Sequence, residues 1–231
     1  MHIMEGFLPS PWWQIWWIVS APFVVYGMYR LKGLIRENRE VLPLLAVSGA
    51  FVFVLSSLKL PSVTGSSSHP TGTGLAAILF GPAITAVLSV IVLLYQALFL
   101  AHGGLSTLGA NVFSMGIAGP TLGYAIYRFG LGARLPPYLT VFAAAAIADL
   151  TTYCVTAGQL ALAFPAASGG YLVSFSAFLT VFAFTQVPLA IIEGAITALI
   201  FKYILQVRSD IVVRLRVIPD AVAKRLREEA S

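Results

Sequence analysis

Long apolar stretches, separated by short polar or basic segments, make up most of this chain. These stretches run at about 12–30, 42–60, 83–101, 108–128, 138–161 and 174–205. Each is close to or longer than the roughly 20 residues that a helix needs to cross a bilayer. Residues 61–82 begin as a polar Gly/Ser/Thr/Pro loop and end in a short apolar piece at 75–80. The pattern predicts an all-α integral membrane protein and leaves this one segment undecided.

The basic residues decide whether that segment crosses, because positive charge favours the cytoplasmic side of a membrane. They cluster at 30–39, at 128–134 and from 202 to 227, with Lys59 apart. If residues 71–82 did not cross, the second and third clusters would lie outside. If they cross, all three clusters lie inside and only Lys59 is external. We therefore predict seven transmembrane helices, with the N-terminus outside and the C-terminus cytoplasmic.

Composition supports a multi-pass membrane protein and limits its chemistry. The chain is 58% hydrophobic and 10% charged, whereas soluble domains carry about 25% charged residues. The net charge of +5 is explained by the basic clusters on the predicted cytoplasmic side. No nucleic-acid partner is therefore expected. The single cysteine, Cys154, excludes a disulfide framework and a cysteine-based metal site. The sequence has no P-loop, His-Glu-x-x-His or Gly-x-Ser-x-Gly motif, so we expect a non-enzyme that cannot hydrolyse ATP.

Position two holds one of only three histidines in the chain. A cleaved signal peptide would need a basic segment before its apolar run, and the first eleven residues have none, so Met1 is expected to be retained. The Met1 amine, the His2 backbone nitrogen and the His2 ring could then chelate one metal ion. A fourth nitrogen would complete a square-planar site, which favours Ni(II) or Cu(II) and also accommodates Co(II). The alternative is that His2 belongs to a frayed terminus.

The fourth nitrogen is expected from His69, in the loop SSSHPTGTG at 66–74. Pro70 restricts His69 to an extended backbone, and the predicted topology places this loop on the same outer side as Met1 and His2. The predicted metal site is therefore Met1, His2 and His69. The third histidine, His102, lies at the outer end of its span. It is expected to orient a ligand or to be an interfacial residue, rather than to bind the metal directly.

Two acids, Asp149 and Glu193, fall inside predicted spans, where ionisable residues are costly and usually have a partner. For both we favour a structural polar role over metal binding. Thr151 and Thr152 are candidate hydrogen-bond partners for Asp149. Glu193 is expected either to cap backbone groups freed by a proline kink or to meet Asn111.

The chain divides into a transmembrane metal-binding domain at 1–208 and a basic tail at 209–231. The tail alternates Ile, Val and Leu with Arg and Lys. This alternation predicts an amphipathic cytoplasmic helix that contacts the inner membrane face or a partner; a solvated end is the alternative.

Several segments together resemble the membrane-embedded substrate-binding (S) component of energy-coupling-factor (ECF) transporters for nickel or cobalt. They are MHIMEGFLP at 1–9, LKLP at 58–61, SHPTGTG at 68–74, HGGLSTLGAN at 102–111 and QVPLAIIEG at 186–194. The resemblance implies a six-helix S-component core with an extra N-terminal helix. It also implies metal binding by the Met1 amine, the His2 backbone and ring nitrogens and a His69 ring nitrogen, with Ni(II) or Co(II) as the transported substrate.

The same resemblance implies partners and a location. It implies a transmembrane coupling protein, cytosolic ATPase subunits and a small accessory membrane subunit, assembled in the lipid bilayer of a prokaryotic inner (plasma) membrane. Ala46 and Ala50 are the matching candidates for contact with the coupling protein; ordinary packing within the chain is the alternative. Two other functions stay open: a stand-alone divalent-metal permease, and an S component for an organic vitamin.

Overall fold

The computed structural model describes residues 2–61 and 66–228, so Met1 of the predicted metal site lies outside the described residues. Helices occupy every predicted apolar stretch. They are α1 (Trp12–Glu37), α2 (Leu42–Ser57), α3 (Thr73–Phe80), α4 (Pro82–Phe99), α5 (Leu108–Asn111), α6 (Gly119–Gly132), α7 (Pro137–Ala163), α8 (Gly170–Arg214) and α9 (Asp220–Glu228). A 3₁₀ turn at Arg39–Val41 leads into α2, and a π-helical segment at Val112–Ala118 joins α5 to α6.

Four of the described helices are long and apolar enough to cross a membrane by length and composition. They are Arg39–Ser57 with its leading 3₁₀ turn, Pro82–Phe99, Pro137–Ala163 and Gly170–Arg214. Large apolar side chains also project outward from the bundle, including Ile18, Phe99, Phe129 and Phe184. A surface of this kind suits lipid rather than water. These features establish a helical membrane-protein fold; the count of seven crossings and the orientation of the termini stay predictions.

The short segment that hydropathy left undecided forms a helix enclosed by protein. Residues Thr73 to Leu79 of α3 are all buried, although its eight residues rise only about 12 Å. The helix begins after Gly72, which has a φ of 71° and lies so close to α2 that an added Cβ would be 2.9 Å from Val52 Cα. Only glycine fits both the left-handed backbone and this contact. The loop before α3 is thereby held deep within the bundle.

A small antiparallel sheet covers the loop that precedes α3. Its strands are β1 (His2–Ile3), β2 (Leu60–Pro61) and β3 (Ser66–Ser68), with β3 in the centre. His2 pairs with Ser67, and Ile3 pairs with Ser66. The N-terminal residues are therefore held against the His69 loop by backbone hydrogen bonds.

The predicted basic clusters meet at one end of the molecule. Arg36, Arg128 and Arg216 line a single groove together with Phe80, the last residue of α3. Lys59 belongs to the opposite end, where it is close enough to His102 to affect that ring electrostatically. This separation is the charge distribution on which the predicted topology depends.

The C-terminal segment folds back onto the basic end. The backbone of α8 leaves helical geometry at Arg208, with φ −136° and ψ 45°. Beyond this break, Ile211, Val217 and Leu226 are buried in one apolar cluster with residues of α2 and α7. Tyr127 of α6 also donates a hydrogen bond of 3.0 Å to the Val217 carbonyl. The residues after Arg208 therefore pack against the helical bundle, while their separation as a cytoplasmic domain stays a prediction.

A candidate metal site of three buried histidines

All three histidines of the chain lie together under the small sheet. One potential ligand atom from each of His2, His69 and His102 lies within 4.8 Å of the others, and all three side chains are buried. The ring centroids are 4.4 Å apart for His2 and His69, and 4.2 Å apart for His2 and His102. The third pair, His69 and His102, is separated by 5.0 Å. Sequence reasoning paired the first two histidines, whereas the structure adds His102 to the same cluster.

The hydrogen bonds of the rings determine which nitrogens can bind a metal. His69 Nδ1 lies 2.8 Å from the Pro70 carbonyl oxygen, which can only accept, so this nitrogen carries the hydrogen. The lone pair of neutral His69 is then on Nε2, and this atom faces His2 Nδ1. His2 Nδ1 is also the ring nitrogen that can close a six-membered chelate ring with the His2 backbone nitrogen. A hydrogen bond from one ring nitrogen to a backbone carbonyl commonly selects the tautomer of a metal-binding histidine.

Burial keeps the three rings neutral. Loss of solvation lowers the pKa of His2 and of His69 well below the ordinary value, and the nearby histidine rings lower both further. Burial also lowers the pKa of His102 to about 4. Because a histidine binds metal through a neutral ring, a lowered pKa leaves the lone pairs available at neutral pH.

Asn111 fixes the N-terminal strand with a two-point clamp. Its side-chain oxygen accepts a hydrogen bond from the Ile3 N–H at 2.8 Å, and its amide nitrogen donates to the Ile3 carbonyl at 3.0 Å. Thr107 donates a further hydrogen bond of 2.8 Å to the same carbonyl. Asn111 ends α5 directly before the π-helical segment, a feature often found near functional sites. The clamp sets the position of the residue next to His2.

The loop between α4 and α5 covers the outer face of this strand. Glu5 donates its N–H to the Gly103 carbonyl at 3.2 Å, and its carboxylate accepts from the Ser106 N–H. Gly103 has a φ of 77°, and a Cβ there would be 3.1 Å from the His2 ring; at Gly104 it would be 2.4 Å from Glu5 Cα. These glycines allow the loop to contact the terminal strand closely.

Glu193 of α8 holds the other side of the site. Its carboxylate accepts hydrogen bonds from the Thr71 N–H, the Thr71 hydroxyl and the Gly72 N–H. These groups immediately follow the His69–Pro70 pair and precede α3. Glu193 does cap backbone N–H groups, but they belong to this loop and not to backbone freed by Pro188, so the predicted capping partner is wrong. The alternative partner, Asn111, is wrong because Asn111 binds Ile3.

Asp149 of α7 differs from Glu193, although both are fully buried. Neither carboxylate oxygen of Asp149 has a hydrogen-bond partner among the described residues. The predicted threonine partners are wrong: Thr151 donates to the Ile147 carbonyl and Thr152 to the Ala148 carbonyl, each four residues earlier. In a helix this back-bonding satisfies the hydroxyl locally, so it does not reach Asp149.

The fold and the three buried histidines are those of a helical membrane protein with a candidate metal site. Residues 2–211 match the family described as the cobalt uptake substrate-specific transmembrane region, CbiM. The chain belongs to this CbiM family.

Several relatives cover the chain from end to end. A putative cobalt transport protein CbiM 1 of Methanosphaerula palustris is 64% identical over 231 residues, covering 100% of both chains. A putative cobalt transport protein CbiM 2 of Methanosarcina barkeri is 62% identical, covering 98% of each. A putative fused cobalt transport protein CbiMQ of Methanocorpusculum labreanum is 55% identical, covering 94% of this chain and 37% of the longer protein.

A solved structure confirms the fold class. The crystal structure of a transition metal transporter superposes with a TM-score of 0.79 and 27% identity. The match covers 94% of this chain and 100% of that one. The helical arrangement of most of this chain is therefore similar to that of a solved transition-metal transporter.

Proposed function

We propose that this chain is the metal-capture subunit of an ATP-driven, ECF-type cobalt or nickel transporter of the prokaryotic plasma membrane. It would bind Co(II) or Ni(II) on the outer side and deliver the ion inward through partner subunits. The observation that carries the proposal is the pairing of His2 Nδ1 with His69 Nε2 in a buried cluster beside the chain terminus.

The proposed site is planar and contains four nitrogens. They are the Met1 amine, the His2 backbone nitrogen, His2 Nδ1 and His69 Nε2. Loss of the His2 amide hydrogen on binding would give one negative charge to a site that otherwise has neutral donors. This charge would offset part of the cost of burying a divalent cation. Nitrogen donors in a square plane favour Ni(II), and Co(II) is supported by the family to which the chain belongs.

The proposed partners are a transmembrane coupling protein and cytosolic ATPases, with a small accessory membrane subunit. The fused CbiMQ relative supports a membrane partner, since one polypeptide there continues well beyond the region that this chain matches. Ala46 and Ala50 are both exposed on α2, which supports contact with a partner over packing within the chain. Small exposed residues one turn apart permit close approach of a second helix.

Reconstitution in vesicles tests this function against the permease alternative. With coupling protein and ATPases present, cobalt uptake should require ATP and should stop when His2 is replaced by alanine. Uptake by this chain alone, without ATP, would instead support a stand-alone permease.

Replacing Ala46 and Ala50 together by tryptophan should abolish copurification with the coupling protein while leaving cobalt binding intact. If copurification and cobalt binding were both lost, the role of the two alanines would not be confined to contact with the coupling protein.

A further inference from the structure

The third histidine of the cluster has no place in the proposed square plane, yet it lies against both rings that do. His102 Nε2 is 2.8 Å from the Ser67 hydroxyl. Its other nitrogen, Nδ1, is buried and has no hydrogen-bond partner among the described residues. A buried polar atom without a partner is unfavourable because it has lost its hydrogen bonds to water. This atom therefore needs an explanation, and a metal ion beside it would supply one.

The distances between the three ring centroids indicate where His102 lies relative to that ion. Two imidazoles bound at right angles around one ion have ring centroids about 4.4 Å apart, given metal–nitrogen bonds of about 2.0 Å. Rings on opposite sides of the ion would be about 6.2 Å apart, by the same geometry. The three observed separations are 4.4, 4.2 and 5.0 Å. The first two separations fit a right angle and the third a somewhat wider angle, so no pair of rings is opposite.

Because no two of the rings are opposite each other, His102 cannot occupy a position within the proposed plane. In the proposed site, the Met1 amine lies opposite His2 Nδ1, and the His2 backbone nitrogen lies opposite His69 Nε2. Any other in-plane position would be opposite one of the two rings. A nitrogen opposite neither ring must lie above or below the plane.

We infer that His102 Nδ1 is an axial fifth ligand that favours Co(II) over Ni(II) in this site. The inference rests on the proposed planar site. Low-spin Ni(II) in a square plane has a filled orbital along the axis and gains little from a fifth donor. Low-spin Co(II) has one electron there and binds an axial nitrogen. The same four nitrogens with His102 would therefore form a cobalt-selective site, whereas the plane alone favours nickel.

Electron paramagnetic resonance of the full-length chain, loaded with Co(II) alone under anaerobic conditions, tests the inference. A single axial nitrogen has nuclear spin one and should split each cobalt line into a triplet in the unmodified protein. The triplet should vanish in His102→Phe, which keeps a ring but has no nitrogen. Ser67→Ala removes only the hydrogen bond to His102 and should keep the triplet. Absence of the triplet from the unmodified protein, or its survival in His102→Phe, would overturn the assignment.

Affinity gives a second readout that is independent of the spectrum. His102→Phe should weaken Co(II) binding by at least the ~10–100-fold that loss of a supporting group costs, and should weaken Ni(II) binding much less. An equal loss for both metals would mean that His102 only supports the cluster. Failure of the planar site itself would look different, because His2→Ala would then retain binding of both metals.

Discussion

The strand at His2–Ile3 and the segment after Arg208 both pack against the helical bundle, but by different interactions. In the N-terminal strand, Ile3 donates a hydrogen bond to Asn111 and accepts hydrogen bonds from Asn111 and Thr107. At the C-terminus, Val217 and Leu226 are held mainly by apolar burial. Hydrogen bonds are directional and fix the position of a backbone, whereas apolar burial is non-directional and contributes mainly stability. The N-terminal contacts therefore mainly fix the position of the strand that carries His2, whereas the C-terminal contacts mainly contribute to the stability of the fold.

Loss of His69 should have the largest effect on the N-terminal end. His69→Ala removes the Nε2 that faces His2, leaving the proposed plane with three nitrogens. Affinity for Co(II) and Ni(II) should fall by more than the ~10–100-fold typical of losing an outer-shell partner. Calorimetric titration of the purified chain measures this directly. Unchanged affinity would remove His69 from the site.

Glu193→Ala should have the next largest effect, because it leaves the Thr71 and Gly72 N–H groups buried without an acceptor. Each unsatisfied group costs about 1–3 kcal/mol, and the displaced loop should weaken metal affinity by about 10–100-fold. Asp149→Asn is the matched control, since Asp149 is equally buried but makes no hydrogen bond among the described residues. Thermal unfolding and metal titration of both variants distinguish the two acids. An equal loss of affinity in Asp149→Asn would mean that the loop contacts are not the cause.

Asn111→Leu should weaken metal binding less, by about 10-fold. It removes both bonds of the clamp on Ile3 but leaves the bond from Thr107. Thr107→Val removes that remaining bond and the two longer hydrogen bonds, of 3.4 Å each, that the hydroxyl makes with the Gly104 carbonyl and the Asn111 amide. It should have a smaller effect because both Asn111 bonds to Ile3 remain. Titration of the two variants with Co(II) shows which substitution weakens metal binding more. If Thr107→Val were the more damaging change, the clamp would not be what positions the strand.

Leu226→Ala should leave metal affinity unchanged, although it removes a side chain that is only 3% exposed. Truncation of a buried leucine lowers stability by about 2–5 kcal/mol. The expected result is a lower thermal midpoint with an unaltered metal titration. A loss of cobalt affinity in this variant would show that the two ends are coupled.

The sequence predicted the helices well, because hydropathy and charge placement are properties of continuous segments. It also paired His2 with His69, since loop chemistry and topology placed both on one side. It did not predict that Asn111 binds Ile3 or that Glu193 binds the Thr71 loop. Those pairs are 108 and 122 residues apart in the chain, and no local pattern encodes such contacts. The contact of the His102 ring with the other two was not predicted for the same reason, as only the fold brings them together.

We propose that the Met1 amine and the His2 nitrogens are metal ligands, and an absorption titration with Ni(II) tests this site. Protein with a free Met1 amine should form a one-to-one yellow, diamagnetic complex, the signature of square-planar nitrogen coordination. Acetylation of the amine, or an N-terminal extension, should abolish that band. Weak octahedral-type absorption from the unmodified protein would mean that the site is not a square plane of nitrogens. An undiminished band after the amine is blocked would mean that the Met1 amine is not a ligand.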